Sequence, residues 1–243
     1  MDLEEYSRIA AIEDAHWWYR NTRYLVRGLL RPWLRSDLLS LDAGCGPGGN
    51  GAWLWEYGTV VGVDISPEAL RFVRARRQTR AVQANVASLP LADHSFDIVI
   101  AITVLTSVPN DADAVREMHR VLRPGGAIVL FEPAFERLRR GHDEIVHSLR
   151  RYRRVDLEAL ATAAGFRVHR STYAYSFLAP AAAALRIADR HGRRSEAATR
   201  SDVQRRGLDW LFAPCAAAER RWLRRYRVPF GTSVIVVATR DDD

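Results

Sequence analysis

LDAGCGPGG, residues 41–49, is the stretch whose reading decides the fold. An apolar run, LLSLDAG (38–44), leads into it as a buried strand, and GNGAWLWEYG (49–58) leaves it as a short helix. Gly44-x-Gly46-x-x-Gly49 between a strand and a helix lets the backbone approach a ligand closely and turns N–H groups toward its anionic part. Turn glycines alone would give the same letters, so the context decides. TVVGVDI (59–65) follows as a second strand in which Asp64 can accept both hydrogen bonds of a ribose diol. The combination reads as a site for a nucleotide-like ligand.

The rhythm continues outward. RAVQANV (80–86) and FDIVIAITVL (96–105) carry a third and a fourth strand, and AIVLFEPA (127–134) is the fifth. Pro67 opens a helix, and DADAVREMHRVLRPGG (111–126) reads as another, acidic at its start and stopped by Pro124-Gly125-Gly126. Helix VDLEALATAAGF (155–166), strand RVHRSTYAY (167–175), a helical stretch over 178–227 containing the polar loop RHGRRSEAATRSD, and strand TSVIVVAT (232–239) complete seven strands.

Hydrophobic residues make up 48% of the 243, enough for a buried core, and no apolar run reaches the ~18 residues of a membrane span. The acidic N-terminus does not read as a secretory signal, and two distant cysteines, Cys45 and Cys215, predict a cytoplasmic protein without a disulfide framework. All 36 basic residues are arginine, which excludes phosphate-loop, Schiff-base and general-base lysines. Residues 186–227 hold twelve arginines against five acids, the whole +7 excess of the chain, so the positive field is local.

Asp42 before Gly44-Cys45-Gly46, then VVGVDIS (60–66), QANVASLP (83–90), SFDIVI (95–100) and VLRPGG (121–126), is similar to the motif series of class I S-adenosylmethionine-dependent methyltransferases. The resemblance implies an α/β fold: a doubly wound, Rossmann-like, seven-stranded, mostly parallel sheet with the last strand antiparallel. Residues 1–37 would be lid helices, 38–177 with 228–243 the cofactor-binding domain, and 178–227 a helical substrate cap. It implies S-adenosylmethionine as cofactor, S-adenosylhomocysteine as product, and no metal. Ala43, Gly44 and Gly46 would wrap the methionine part, supported by Asp42. Asp64 would hold the ribose, Ile65, Asn85 and Val86 the adenine, and Ala101 and Ile102 would line the sulfonium. Asn85 departs from the usual aspartate, and Thr106-Ser107 from the Glu-His of many small-molecule members.

A base for a hydroxyl or ammonium acceptor is sought in GHDEIVHSLRRYRR (141–154). His147 is the expected base, with Arg151 and Tyr152 orienting an acidic or hydroxylated substrate. The His-x-x-Arg-Arg-Tyr run, together with HWWYRNTR (16–23) and VPFGTS (228–233), resembles a subgroup marked by an HWW(F/Y) segment.

The expected acceptor is a small molecule of acidic or lipid-like character: a lipid, quinone, glycan precursor or secondary metabolite. ITVL (102–105) stands where amino-methylating nucleic-acid enzymes carry Asn/Asp-Pro-Pro-Tyr, which disfavours nucleic acid. The alternatives are an RNA or peptide methyltransferase docking through the basic insertion, and a non-catalytic cofactor-binding module. The basic aromatic stretch 208–230 also allows peripheral membrane contact, and the chain is expected as monomer or homodimer. In HWWYRNTR, one tryptophan should pack in the core. Trp18, Tyr19 and Arg23 should close over the cofactor, with His16 toward the acceptor.

Overall fold

The computed structural model describes residues 3–76, 79–139, 141–180 and 209–241. One sheet contains β1 (Leu38–Ala43), β2 (Gly58–Asp64), β3 (Thr79–Gln83), β4 (Phe96–Ile102), β5 (Leu122–Pro133), β6 (Phe166–Ala174) and β7 (Ser233–Arg240). The order is β3-β2-β1-β4-β5-β7-β6, with β7 antiparallel to both neighbours and the first five strands parallel. The expected doubly wound, mostly parallel sheet is therefore the observed one. Its order reverses between β1 and β4, which places the ligand crevice at their carboxyl ends.

The helices are α1 (Leu3–Ile12), α2 (Trp17–Leu30), α3 (Pro67–Arg76), α4 (Asp111–Val121), α5 (Gly141–Ile145), α6 (Arg154–Ala163) and α7 (Asp209–Leu223). Central β4 is buried along its whole length because both faces of the sheet are covered, which is why FDIVIAI reads as an unbroken apolar run. Asp97 in that run is 4% exposed. It accepts from the Leu39 amide at 2.8 Å, from Arg35 at 2.7 Å and from Arg123 at 2.9 Å, so it pins β4 to β1.

Two elements differ from the sequence pattern. The helix expected over 111–126 ends at Val121, and Pro124-Gly125-Gly126 lie within β5. Leu122 is fully buried and pairs with Phe96, so strand pairing overrides the helical period there. The helix expected over 49–58 is only a 3-10 helix, Ala52–Tyr57. Gly51 packs directly on the Asp42 carboxylate, and the glycines before it lack helix propensity.

Of the helical stretch expected over 178–227, residues 181–208 lie outside the described residues, including the polar loop and seven of its arginines. The rest yields the 3-10 helix Ser176–Leu178 and α7, in which Pro214 sits inside the helix. α7 is fixed by Glu219, which accepts from the amides of Tyr175 (2.6 Å) and Ser176 (2.7 Å). Among the described residues, no helix is long and apolar enough to cross a membrane.

Candidate active site

The glycine loop leaves β1 at Ala43 and folds back on the end of β2. Gly44, Gly46 and Gly48 adopt positive φ values of 68°, 54° and 92°. A Cβ at Gly44 would overlap the Val104 side chain, so glycine is required there by both conformation and contact. Asp64 receives the amides of Gly46 and Ser66, each at 2.9 Å, and holds loop and strand end together. The adjacent Ile65 is 66% exposed, an apolar side chain held out where a flat ring could rest. Ala43, Ala101 and Ile102 are buried strand ends forming the floor, and Val86 is buried as well. Asn85 is exposed, but its side-chain oxygen already accepts the Ala87 amide at 2.9 Å in a local turn.

Around this loop stands a group of acids. Asp42 is 2% exposed, and its Oδ2, set against Gly51, has no well-aligned hydrogen-bond partner. Burial, with the charges of Glu13 and Asp64, pushes its pKa up to about 7. Glu13 comes from the turn after α1; it accepts the Gly49 amide at 3.1 Å and pairs with Arg76 at 2.5 Å. Burial also raises Asp64 and Glu13 above the ordinary carboxylate range. A buried carboxylate oxygen without a well-aligned donor, in a nest of like charges, suits a cationic ligand. The ammonium and sulfonium of S-adenosylmethionine fit that chemistry, and the Asp64–Ile65 pair fits its nucleoside.

The turn after β4 is held from below. Glu132, fully buried near the end of β5, accepts from the amides of Val104 (3.1 Å), Leu105 (3.0 Å) and Thr106 (3.4 Å). Burial raises its pKa to about 8. The connection after β5 packs on the same turn, through Leu149 N to Thr106 O at 2.7 Å and Ser107 Oγ to Val146 O at 3.2 Å. Arg151 and Tyr152 are both committed within this connection. Arg151 makes a two-pronged pair with Asp143 at 2.8 and 3.0 Å, and the Tyr152 hydroxyl donates to Asp111 at 2.6 Å, with burial pushing its pKa up. The substrate-orienting roles expected of these two therefore meet side chains that fasten the connection itself. His147 is exposed at φ 53° in the turn after α5.

The HWWYRNTR segment is the start of α2. His16 caps the helix, its Nδ1 accepting the Trp18 amide at 3.2 Å, and is buried rather than turned to an open cleft. Trp17 and Trp18 are both half-buried and both meet Tyr175, with ring centroids at 5.8 and 6.1 Å, so the expected division between core and cofactor is not seen. Arg23 donates to the carbonyls of Glu13 (2.8 Å) and Asp14 (3.2 Å); it staples the α1–α2 turn. Tyr19 is buried, its hydroxyl pKa raised by burial and by the charges of Glu13 and Glu5. Glu13, Glu132 and Tyr6, which lies buried beside Asp64 and Ser66, belong to the site's surroundings although no sequence motif marks them. Only the acidic character of the first fifteen residues hints at the first, since the partners of all three are distant in the chain.

Among the described residues, no three His, Cys, Asp or Glu side chains cluster as a metal site would require. A family profile described as a methyltransferase domain matches residues 41–130. The malonyl-[acyl-carrier protein] O-methyltransferase of Enterobacter lignolyticus is 34% identical over 187 residues, 70% of this chain and 73% of that protein. The trans-aconitate 2-methyltransferase of an Azoarcus species is 39% identical over 116 residues, 46% of this chain and 43% of that protein. In fold, the chain is similar to a TehB-like methyltransferase from Corynebacterium glutamicum, with a TM-score of 0.60 at 16% identity over 98% of this chain and 95% of that one.

Proposed function

The chain belongs to the class I S-adenosylmethionine-dependent methyltransferases, and from that premise we propose that it methylates a small acceptor bearing an acidic oxygen. The observation that carries this reading is the separation of charge across the site. Glu13, Asp42 and Asp64 gather at the glycine loop, where a cation belongs. The connection leaving β5, residues 134–153, holds six arginines against Glu136, Asp143 and Glu144, and this net positive charge attracts an anion. The names of the two relatives described above carry malonyl and aconitate, in keeping with this choice.

Bound at the loop, S-adenosylmethionine supplies a methyl group that is already activated. Asp42 would face its cationic part, Asp64 its ribose and Ile65 its adenine. The remaining work is positioning and exclusion of water. The turn after α1 covers the loop through Glu13, while Tyr6 of α1 lies buried beside Asp64 and Ser66. Glu132 fixes the turn after β4, and Arg151 and Tyr152 hold the connection against it. An acidic oxygen is ionised at neutral pH and needs no base, so His147 is left with a positioning role.

Turnover tests the proposal. The protein is supplied with S-adenosylmethionine and matched panels of short carboxylic acids, alcohols and amines, and S-adenosylhomocysteine is measured. Methylation confined to acids is expected. Turnover confined to alcohols, amines or RNA would overturn the acceptor class.

A further inference from the structure

A cavity of about 600 Å³ lies between the C-terminal half of α2, the β6–β7 edge of the sheet and the last turns of α7. Its wall is apolar where Leu25, Leu29, Trp33, Leu223 and Val237 meet, and its size is that of a small-molecule site. Four arginines also line it: Arg31, Arg170, Arg220 and Arg224. Among the described residues none of the four is ion-paired. Arg170 donates to the carbonyls of Arg224 (3.4 Å) and Tyr226 (2.5 Å), and its Nε is buried without a partner. Arg220 donates to Asn21 Oδ1 at 2.5 Å and lies over the Tyr24 ring. Burial, together with Arg227 for the first and Arg224 for the second, lowers the pKa of both guanidiniums. Like charges gathered beside apolar walls destabilise one another until a counter-charge arrives.

We infer that this cavity binds an amphiphilic anion: an apolar chain ending in a carboxylate or phosphate. The chain would lie along Leu25, Leu29 and Leu223, with the head group between Arg170 and Arg220. The site is separate from the methyl-transfer site. The N-terminal half of α2 is taken up by Trp17 and Trp18 against Tyr175, and the cavity begins beyond them, at Leu25. The inference therefore stands apart from the proposed acceptor. A free acyl anion and the head of an anionic phospholipid share the required chemistry. The second source is suggested by Trp222 and Tyr226, exposed at the same end of α7.

Gly28 provides the decisive variant. It lines the cavity, and a Cβ there would meet nothing within 4 Å. Gly28→Leu fills the space with a better helix former, so the variant should melt no lower than wild type. Calorimetry on the full chain compares decanoate, decyl phosphate and decanol. Sedimentation compares vesicles of phosphatidylglycerol and phosphatidylcholine. Both anions should bind at least tenfold more tightly than decanol, and Gly28→Leu and Arg220→Gln should each weaken them at least tenfold. Binding of decanoate and decyl phosphate without sedimentation on either vesicle assigns a free amphiphile, whereas phosphatidylglycerol sedimentation lost in Gly28→Leu assigns a lipid. Decanol binding as tightly as decanoate, anions binding Gly28→Leu as they bind wild type, or a folded wild type that binds neither probe would overturn the inference.

Discussion

The carboxylate of Glu13 accepts the amide proton of Gly49 at 3.1 Å, across 36 residues of sequence. Its other oxygen pairs with Arg76 of α3 at 2.5 Å, so one side chain joins the α1–α2 turn, the glycine loop and the helix behind β2. A Cβ at Gly49 would overlap this carboxylate. Gly49→Ala should therefore destabilise the protein by about 1–3 kcal/mol, through displacement of Glu13 and a lost buried hydrogen bond. It should also weaken S-adenosylmethionine binding at least tenfold. Glu13→Gln keeps an acceptor for Gly49 while losing the charge facing Arg76, so its effect on cofactor affinity should be smaller. Urea unfolding and calorimetry measure the two effects.

Asp42 sets a pH dependence. Its folded pKa of about 7 is above the ordinary 3.8, so the folded state holds a proton that the unfolded state has released. The stability it contributes is complete below about pH 4 and is lost as pH rises through 7. The shift is worth on the order of 4 kcal/mol at most. Glu132, raised to about 8, acts in the same direction. The cofactor-free protein should melt at a higher temperature at pH 5.5 than at pH 8, and Asp42→Asn should flatten that slope. A cation bound beside Asp42 lowers its pKa, so cofactor binding near pH 7 should release protons. Calorimetry in buffers of different ionisation enthalpy reads this, and Asp42→Asn should remove most of it.

The strands are legible in the sequence because burial on both faces leaves runs such as FDIVIAI and SVIVVATR with little polar interruption. Their ends are legible too, since Gly44, Asp64 and Pro67 mark changes of direction. Side-chain partners are not. Arg23 and Arg151 look alike in sequence as free cations, yet one is taken by two carbonyls and the other by Asp143. Those partners are brought close only by turns whose geometry is fixed by tertiary packing. The missing α-helix after the glycine loop has the same origin, because nothing local shows that Gly51 lies on Asp42.

Asp64 should separate loop support from ligand contact. Its two oxygens receive the Gly46 and Ser66 amides, so Asp64→Ala removes the anchor of the loop as well as a ribose acceptor. Cofactor affinity should fall at least tenfold in Asp64→Ala and less in Asp64→Asn, which keeps one acceptor oxygen. An unchanged dissociation constant in Asp64→Ala would remove it from the site.

His147 distinguishes the kinds of acceptor. It is exposed and sits in the left-handed region, in a connection that Arg151 and Tyr152 fasten. If the acceptor oxygen is already ionised, His147→Ala should change kcat less than about threefold and affect chiefly KM for the acceptor, because only positioning is lost. If a hydroxyl or ammonium must be deprotonated, kcat should fall on the order of 10²-fold, the usual share of a general base. The pH profile adds an independent reading. With an acidic acceptor, the pH profile of kcat should contain no step that vanishes in His147→Ala. Such a step in wild type, absent from the variant, would return His147 to the role of base and rule out an acidic oxygen as the nucleophile.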